Sequence, residues 1–137
     1  MPFKKHPVLQ EFDRLSNSIF EFYHEIAMRQ GLSDSAYAIL QSILVLGNGC
    51  TQTEIYKYTL LNKQTVNSSV KKLRQEGMVE FQPGKGREIK LYLTSQGKSL
   101  VDEKILPIEQ AENEVQREIL RLLGKYLDSF RKKVERI

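Results

Sequence analysis

Between residues 51 and 93 the spacing of apolar residues changes from helical to alternating, and that change fixes most of what the chain can become. Thr51-Gln52-Thr53-Glu54 has the form of a capping box that opens a helix. This helix has room for only about two turns before Thr59-Leu60-Leu61-Asn62. Asn62 then caps a second helix reaching Glu76, with Val66, Val70 and Leu73 as its inward stripe and Gly77 as its stop. Two helices joined so tightly are a helix-turn-helix candidate. Beyond Gly77 the period is two. Val79 and Phe81 share one face, Ile89, Leu91 and Leu93 share another, and Pro83-Gly84-Lys85-Gly86 between them is turn chemistry. The spacing therefore predicts a β-hairpin with a basic tip directly after the helix-turn-helix.

The flanks are helical. Leu9, Phe12, Leu15 or Ser16, Ile19, Phe22 with Tyr23, and Ile26 recur at helical spacing over residues 8–29, and Gly31 closes that helix. Ser33 caps the next, whose stripe of Ala36, Ile39, Leu40, Ile43 and Leu44 ends at Gly47-Asn48-Gly49. After the hairpin, Thr94 or Ser95 caps a helix with Leu100, Val101, Ile105, Ile108 and Ala111 on its inner side, and Pro107 is expected to kink or break it. From Val115 to Val134 a wide apolar stripe runs to the C-terminus. The expected class is α+β, mostly α, and 137 residues suit one domain with one modest core. So small a core gains stability from pairing with a second copy.

Charge is concentrated rather than abundant. Residues 51–98 hold nine Lys or Arg against four Glu, while the rest of the chain holds twelve against thirteen acids, so the whole net charge of +4 is due to the middle third. A local excess of this kind attracts a polyanion. The outward face of helix 62–76 carries Lys63, Gln64, Thr65, Asn67, Ser68, Lys71, Lys72 and Arg74, with no acid between 62 and 75. Amides of Gln and Asn pair with adenine edges, and hydroxyls donate or accept in the major groove. The lysines and Arg74 suit phosphates. On the hairpin tip Gly84-Lys85-Gly86-Arg87 places two more cations, with Arg87 suited to a minor groove or a phosphate. These features point to double-stranded DNA as the partner. A hairpin and helix used as a protein–protein module, with a merely solvated basic surface, is the alternative, and salt-dependent duplex binding separates the two.

The ordered motifs resemble the MarR family of winged-helix regulators over roughly residues 8–135. The matching segments are Thr51-Gln52-Thr53-Glu54-Ile55, Asn62 through Leu73, Glu76-Gly77 with Val79-Glu80, Gly86-Arg87, and Leu93-Thr94-Ser95-Gln96-Gly97. The resemblance implies a winged helix-turn-helix lobe at about 33–94, with N- and C-terminal dimerisation helices at about 8–30 and 95–137. It implies a homodimer on a palindromic operator, acting as a repressor of transcription that a small-molecule effector releases. A binder that ignores ligands is the other expectation left open. The residues it carries over are Lys63, Gln64, Thr65, Asn67, Ser68 and Lys71 on the recognition helix, with Arg87 at the wing. Lys72 and Lys85 join them on charge and position alone.

Three positions depart from the family pattern. Lys85 stands where an Asp often braces the wing arginine, Tyr56 where the third helix commonly has Ala, and Leu60 where the turn has Gly. Leu60 must therefore adopt a left-handed conformation or shift the turn. The stretch between the last two helices is also short.

Other function classes find little support. No phosphate loop, nucleophile elbow or paired-carboxylate motif stands out, so neither enzyme activity nor a cofactor is expected. His6, His24 and Cys50 form no spaced cluster for a metal. The single cysteine cannot make an internal disulfide and fits a reducing, cytoplasmic setting, where it is expected to be a buried small residue rather than an oxidant sensor. Glu11, Asp13 and Arg14 interrupt the N-terminal apolar residues, so no leader or membrane span is expected. Phe12, Phe22, Tyr23 and Tyr37 are candidates to line an effector cavity or to pack as core.

Overall fold

The computed structural model describes residues 2–137. Helix α1 (Pro7–Arg29) is followed by α2 (Asp34–Leu46), a two-residue strand β1 (Cys50–Thr51), α3 (Gln52–Thr59) and α4 (Lys63–Gln75). Strands β2 (Val79–Pro83) and β3 (Ile89–Leu93) form the hairpin, and α5 (Ser95–Leu100) and α6 (Leu106–Glu135) complete the chain.

Local chemistry accounts for where these elements start. The hydroxyl of Ser33 accepts from the Ala36 amide at 3.1 Å, Thr51 from Glu54 at 3.1 Å, and Thr94 from Gly97 at 3.0 Å. The side-chain oxygen of Asn62 accepts from the Thr65 amide at 2.7 Å. Each satisfies a helix N–H that has no partner within its own helix. Thr94 does more, because its hydroxyl also donates to the Gly77 carbonyl at 2.6 Å and so ties α5 to the end of α4. Gly97 has to lack a side chain: a Cβ there would lie 1.9 Å from the Met78 carbonyl oxygen.

The sheet has order β1-β3-β2, all antiparallel, with Val79 opposite Leu93 and Pro83 opposite Ile89. The sequence pattern does not announce β1, since two residues cannot display an alternation. It forms because Cys50 and Thr51 lie against Leu91 and Lys90, and Gly49 donates to the Leu91 carbonyl at 2.7 Å. The core gathers Ile39, Leu40 and Ile43 of α2, Ile55 of α3, Val66, Val70 and Leu73 of α4, Val79 and Leu91 of the hairpin, and Val101 and Ile105.

The break near Pro107 lies earlier than that residue. Residues Val101–Ile105 make a π-helical turn, closed by the Leu106 amide on the Val101 carbonyl. Pro107 sits in the first turn of α6, where a missing N–H costs nothing. Ala111, expected on the inner side, is exposed. α6 then runs for 30 residues without one buried side chain, a span of about 45 Å. Phe12 of α1 meets Tyr126 of α6 with ring centroids 5.6 Å apart, yet Leu15, Ile19, Phe22, Ile119, Leu123 and Phe130 all remain exposed. No helix of the described residues is long and apolar enough to cross a membrane.

Candidate nucleic-acid interface

The inward stripe of Val66, Val70 and Leu73 fixes the rotation of α4 in the fold. Each residue advances 100° around a helix, so Gln64, Asn67, Ser68 and Lys71 share the strip opposite that stripe. All four are exposed. Lys63 and Arg74 fall on one edge of the strip, and Thr65 and Lys72 on the other. The two edges are built differently.

On the first edge both cations are held by aromatic rings. The Lys63 ammonium lies 5.1 Å from the centroid of Tyr56 on α3, and the Arg74 guanidinium lies 4.5 Å from that of Phe81 on β2. Attraction to the negative ring faces positions these charges without neutralising them. On the second edge Thr65 is half-buried, and Lys72 lines a small crevice with Gly31, Leu32 and Ser33. Lys72 therefore points away from the Gln64–Lys71 strip, toward the entrance of α2.

Lys85 and Arg87 are exposed on the turn between β2 and β3. Gly84 donates to the Glu88 carbonyl at 2.9 Å and Glu88 to the Lys85 carbonyl at 3.1 Å, which closes the turn. Gly86 there has φ of 62°, a conformation favouring glycine. The five-residue strands carry this tip about 17 Å from the end of α4. With Lys in place of the bracing acid, Arg87 has no carboxylate within 4.0 Å among the described residues.

The same holds across the whole face. Among the described residues, the ion pairs are Lys5–Asp13, Arg14–Glu11, His24–Asp34, Arg29–Glu25 and Lys98–Asp102. None involves a cation between positions 57 and 90. Eight positive charges on α3, α4 and the hairpin are thus left to act outward, beside the positive N-terminal end of the α4 dipole.

The sequence reading missed the contribution of α3. Gln52, Thr53 and Tyr56 share one helical face and, with Lys63, Gln64 and Asn67, line an open groove of about 480 Å³. The spacing of 52, 53 and 56 was a usable signal. Cys50 is buried, and its thiol is pushed up to about 11 by burial and then by the charge of Glu54, against the pull of a backbone hydrogen bond. It is a protonated core residue at neutral pH. Among the described residues no group of three His, Cys, Asp or Glu is placed to hold a metal ion.

A family model described as MarR family matches residues 30–88, from the entrance of α2 to the wing tip. No curated protein matches the chain. Solved structures match over nearly the whole length. NMB1585, a MarR family regulator from Neisseria meningitidis, is 24% identical with a TM-score of 0.67, covering 96% of each chain. BpsR of Bordetella bronchiseptica, whose DNA binding is regulated by 6-hydroxynicotinic acid, is 18% identical with a TM-score of 0.66, covering 85% of this chain and 98% of its own. NadR, solved in complex with 4-hydroxyphenylacetate, is 16% identical with a TM-score of 0.67, covering 95% of this chain and 97% of its own. At such identities the structural likeness speaks for the winged-helix fold alone, and the family-model match covers residues 30–88. Residues 30–88 of the chain match the MarR family model, and the whole chain has the winged helix-turn-helix fold of the MarR family structures it resembles.

Proposed function

We propose that the chain is a MarR family transcriptional regulator, a cytoplasmic, non-enzymatic homodimer that represses transcription by binding a palindromic operator in double-stranded DNA. The observation that carries the DNA part is the exposed Gln64–Asn67–Ser68–Lys71 strip flanked by seven further cations, none with an acidic partner among the described residues. Short polar side chains in the strip read base edges, Lys63, Lys71 and the more peripheral Lys72 hold phosphates, and Lys85 and Arg87 reach the flanking groove or backbone. Thr65, half-buried at the edge, positions the start of the helix and offers its hydroxyl to the nearest phosphate.

The dimer part rests on α1 and α6. Their apolar stripes leave Ile19 57% and Phe130 56% exposed in the single chain, more contiguous apolar surface than a monomer keeps in water. Residues 1–137 then act as one domain, with the DNA-binding lobe at about 33–94 and dimerisation helices at about 8–30 and 95–137. A small-molecule effector regulates this DNA binding, as 6-hydroxynicotinic acid does for BpsR.

Selection of bound sequences from a random duplex pool tests the proposal. The expected consensus is an inverted repeat whose half-sites lie about one helical turn, roughly 34–36 Å, apart. Sedimentation of the intact chain should give a dimer, and a chain ending at Leu106 should aggregate or unfold. Binding unaffected by salt, or a well-folded monomer after truncation, would overturn it.

A further inference from the structure

Lys63 stands where a helix least accommodates a cation. It opens α4 directly after the Asn62 cap, and the first turn of that helix carries no acidic residue. The N–H groups left without partners there make a positive end, which favours anions and disfavours an ammonium. Glu54 on α3 is the one acid between residues 52 and 75. Among the described residues Lys63 nevertheless forms no ion pair with it or with any other carboxylate.

The ammonium lies instead over the ring of Tyr56, 5.1 Å from its centroid. That ring is a firm support. Tyr56 is half-buried and packs against the core, next to the fully buried Ile55. Helix α3 is itself fixed at its start by the Thr51 hydroxyl, which accepts from the Glu54 amide at 3.1 Å. Tyr56 and Lys63 line the same open groove as Gln64 and Asn67. The held charge thus borders the two amides that face outward from α4. A lysine already held in one place gives up less side-chain freedom when it meets a ligand.

A carboxylate in place of the ring would hold Lys63 equally well, but it would neutralise the charge and compete with any incoming anion. A ring face attracts the cation and leaves its net charge intact. The ammonium has three N–H donors, so those turned away from the ring remain open to a phosphate oxygen. The same phosphate would face the positive end of α4. We infer that Tyr56 is a positioning residue for DNA binding: its ring presents the Lys63 ammonium to a backbone phosphate at the rim of the α3–α4 groove, beside the bases that Gln64 and Asn67 read. Tyr56 acts through Lys63 and by its ring face, not by its hydroxyl. The inference rests on the DNA-binding proposal and gives α3 a part in it.

Binding of the full chain to a selected operator and to a scrambled duplex of equal length, at several salt concentrations, tests the inference in Tyr56→Leu, Tyr56→Phe, Lys63→Gln and Tyr56→Leu/Lys63→Gln variants. Lys63→Gln should weaken both duplexes and lower the slope of log K against log salt by about one unit per subunit. Tyr56→Leu should weaken both by about two- to fivefold per subunit, and by nothing further once Lys63 is replaced. Tyr56→Phe keeps the ring face and should bind as the native protein does. In proton NMR without DNA, the ring current should shift the Lys63 ε-methylene upfield in the native and Tyr56→Phe proteins and not in Tyr56→Leu. Tyr56→Met takes the place of Tyr56→Leu should the latter not fold. Equal losses from Tyr56→Leu with and without Lys63, native-like or tighter binding by Tyr56→Leu, or a loss in Tyr56→Phe as large as in Tyr56→Leu would overturn the inference while salt-dependent binding by the native protein left the DNA-binding proposal standing. Native protein that ignored the duplex would overturn both.

Discussion

The guanidinium of Arg74, in the last turn of α4, lies over the ring of Phe81 on β2, 4.5 Å from its centroid. The contact joins the recognition helix to the wing beyond the Gly77 turn, so the angle between the two depends on a cation and a ring as well as on the buried Leu73 and Val79. An exposed pair of this kind contributes about 0.5–1 kcal/mol. A double-mutant cycle of Arg74→Ala and Phe81→Leu, followed by urea unfolding, should return a coupling of about that size. The same cycle in duplex binding should show Arg74→Ala weakening all sequences alike. Strictly additive stability effects would mean that the contact does not set the wing angle.

Leu60 resolves the question its sequence position posed. It ends α3 in the left-handed region, with φ of 60° and ψ of 14°, and its side chain is 88% exposed. Nothing is gained from the Leu side chain there, while the conformation costs about 1–2 kcal/mol for a residue with a Cβ. Part of that returns as chain entropy when glycine is introduced. Leu60→Gly should therefore stabilise the fold by about 0.5–1 kcal/mol and leave duplex affinity unchanged. Lower stability in the variant would show that the turn conformation is not a source of strain.

Why some features could be read from sequence and others not has a physical basis. The caps at Ser33, Thr51, Asn62 and Thr94 work within three residues, so sequence displays them directly. The stripe Val66–Val70–Leu73 likewise fixes which side of α4 faces out. Long-range relationships leave no local mark. The strand at Cys50–Thr51 exists only through Leu91 and Lys90, and Arg74 counts as merely solvated until Phe81 is known to lie beside it. Lys72 belongs to the same charged run as Lys71, yet one further residue of rotation turns it toward Ser33. The hydrogen bond from Tyr23 on α1 to Glu112 on α6 likewise joins two distant helices and has no signature in either alone.

Cys50 provides a test in redox chemistry. Reactive cysteines are exposed thiolates, whereas this thiol is buried and pushed up to about 11. It stays protonated well above neutral pH. Cys50→Ser should leave duplex affinity the same with and without peroxide. A peroxide response present in the native protein and absent from the variant would contradict this assignment.

The salt dependence of duplex affinity, compared between a selected operator and a scrambled sequence, tests DNA recognition by α4 and the wing most directly. Asn67 lies in the exposed strip of α4 and carries an amide able to pair with a base edge. Arg87 lies on the wing turn with no acid to hold it. Asn67→Ala should cost about 1–3 kcal/mol on the operator, little on the scrambled duplex, and leave the salt slope unchanged. Arg87→Ala should weaken both duplexes nearly alike and lower the slope of log K against log salt by about one unit per subunit. The contrary result is a native protein whose affinity ignores salt, or a reversal in which Arg87→Ala changes base preference and Asn67→Ala changes only the slope.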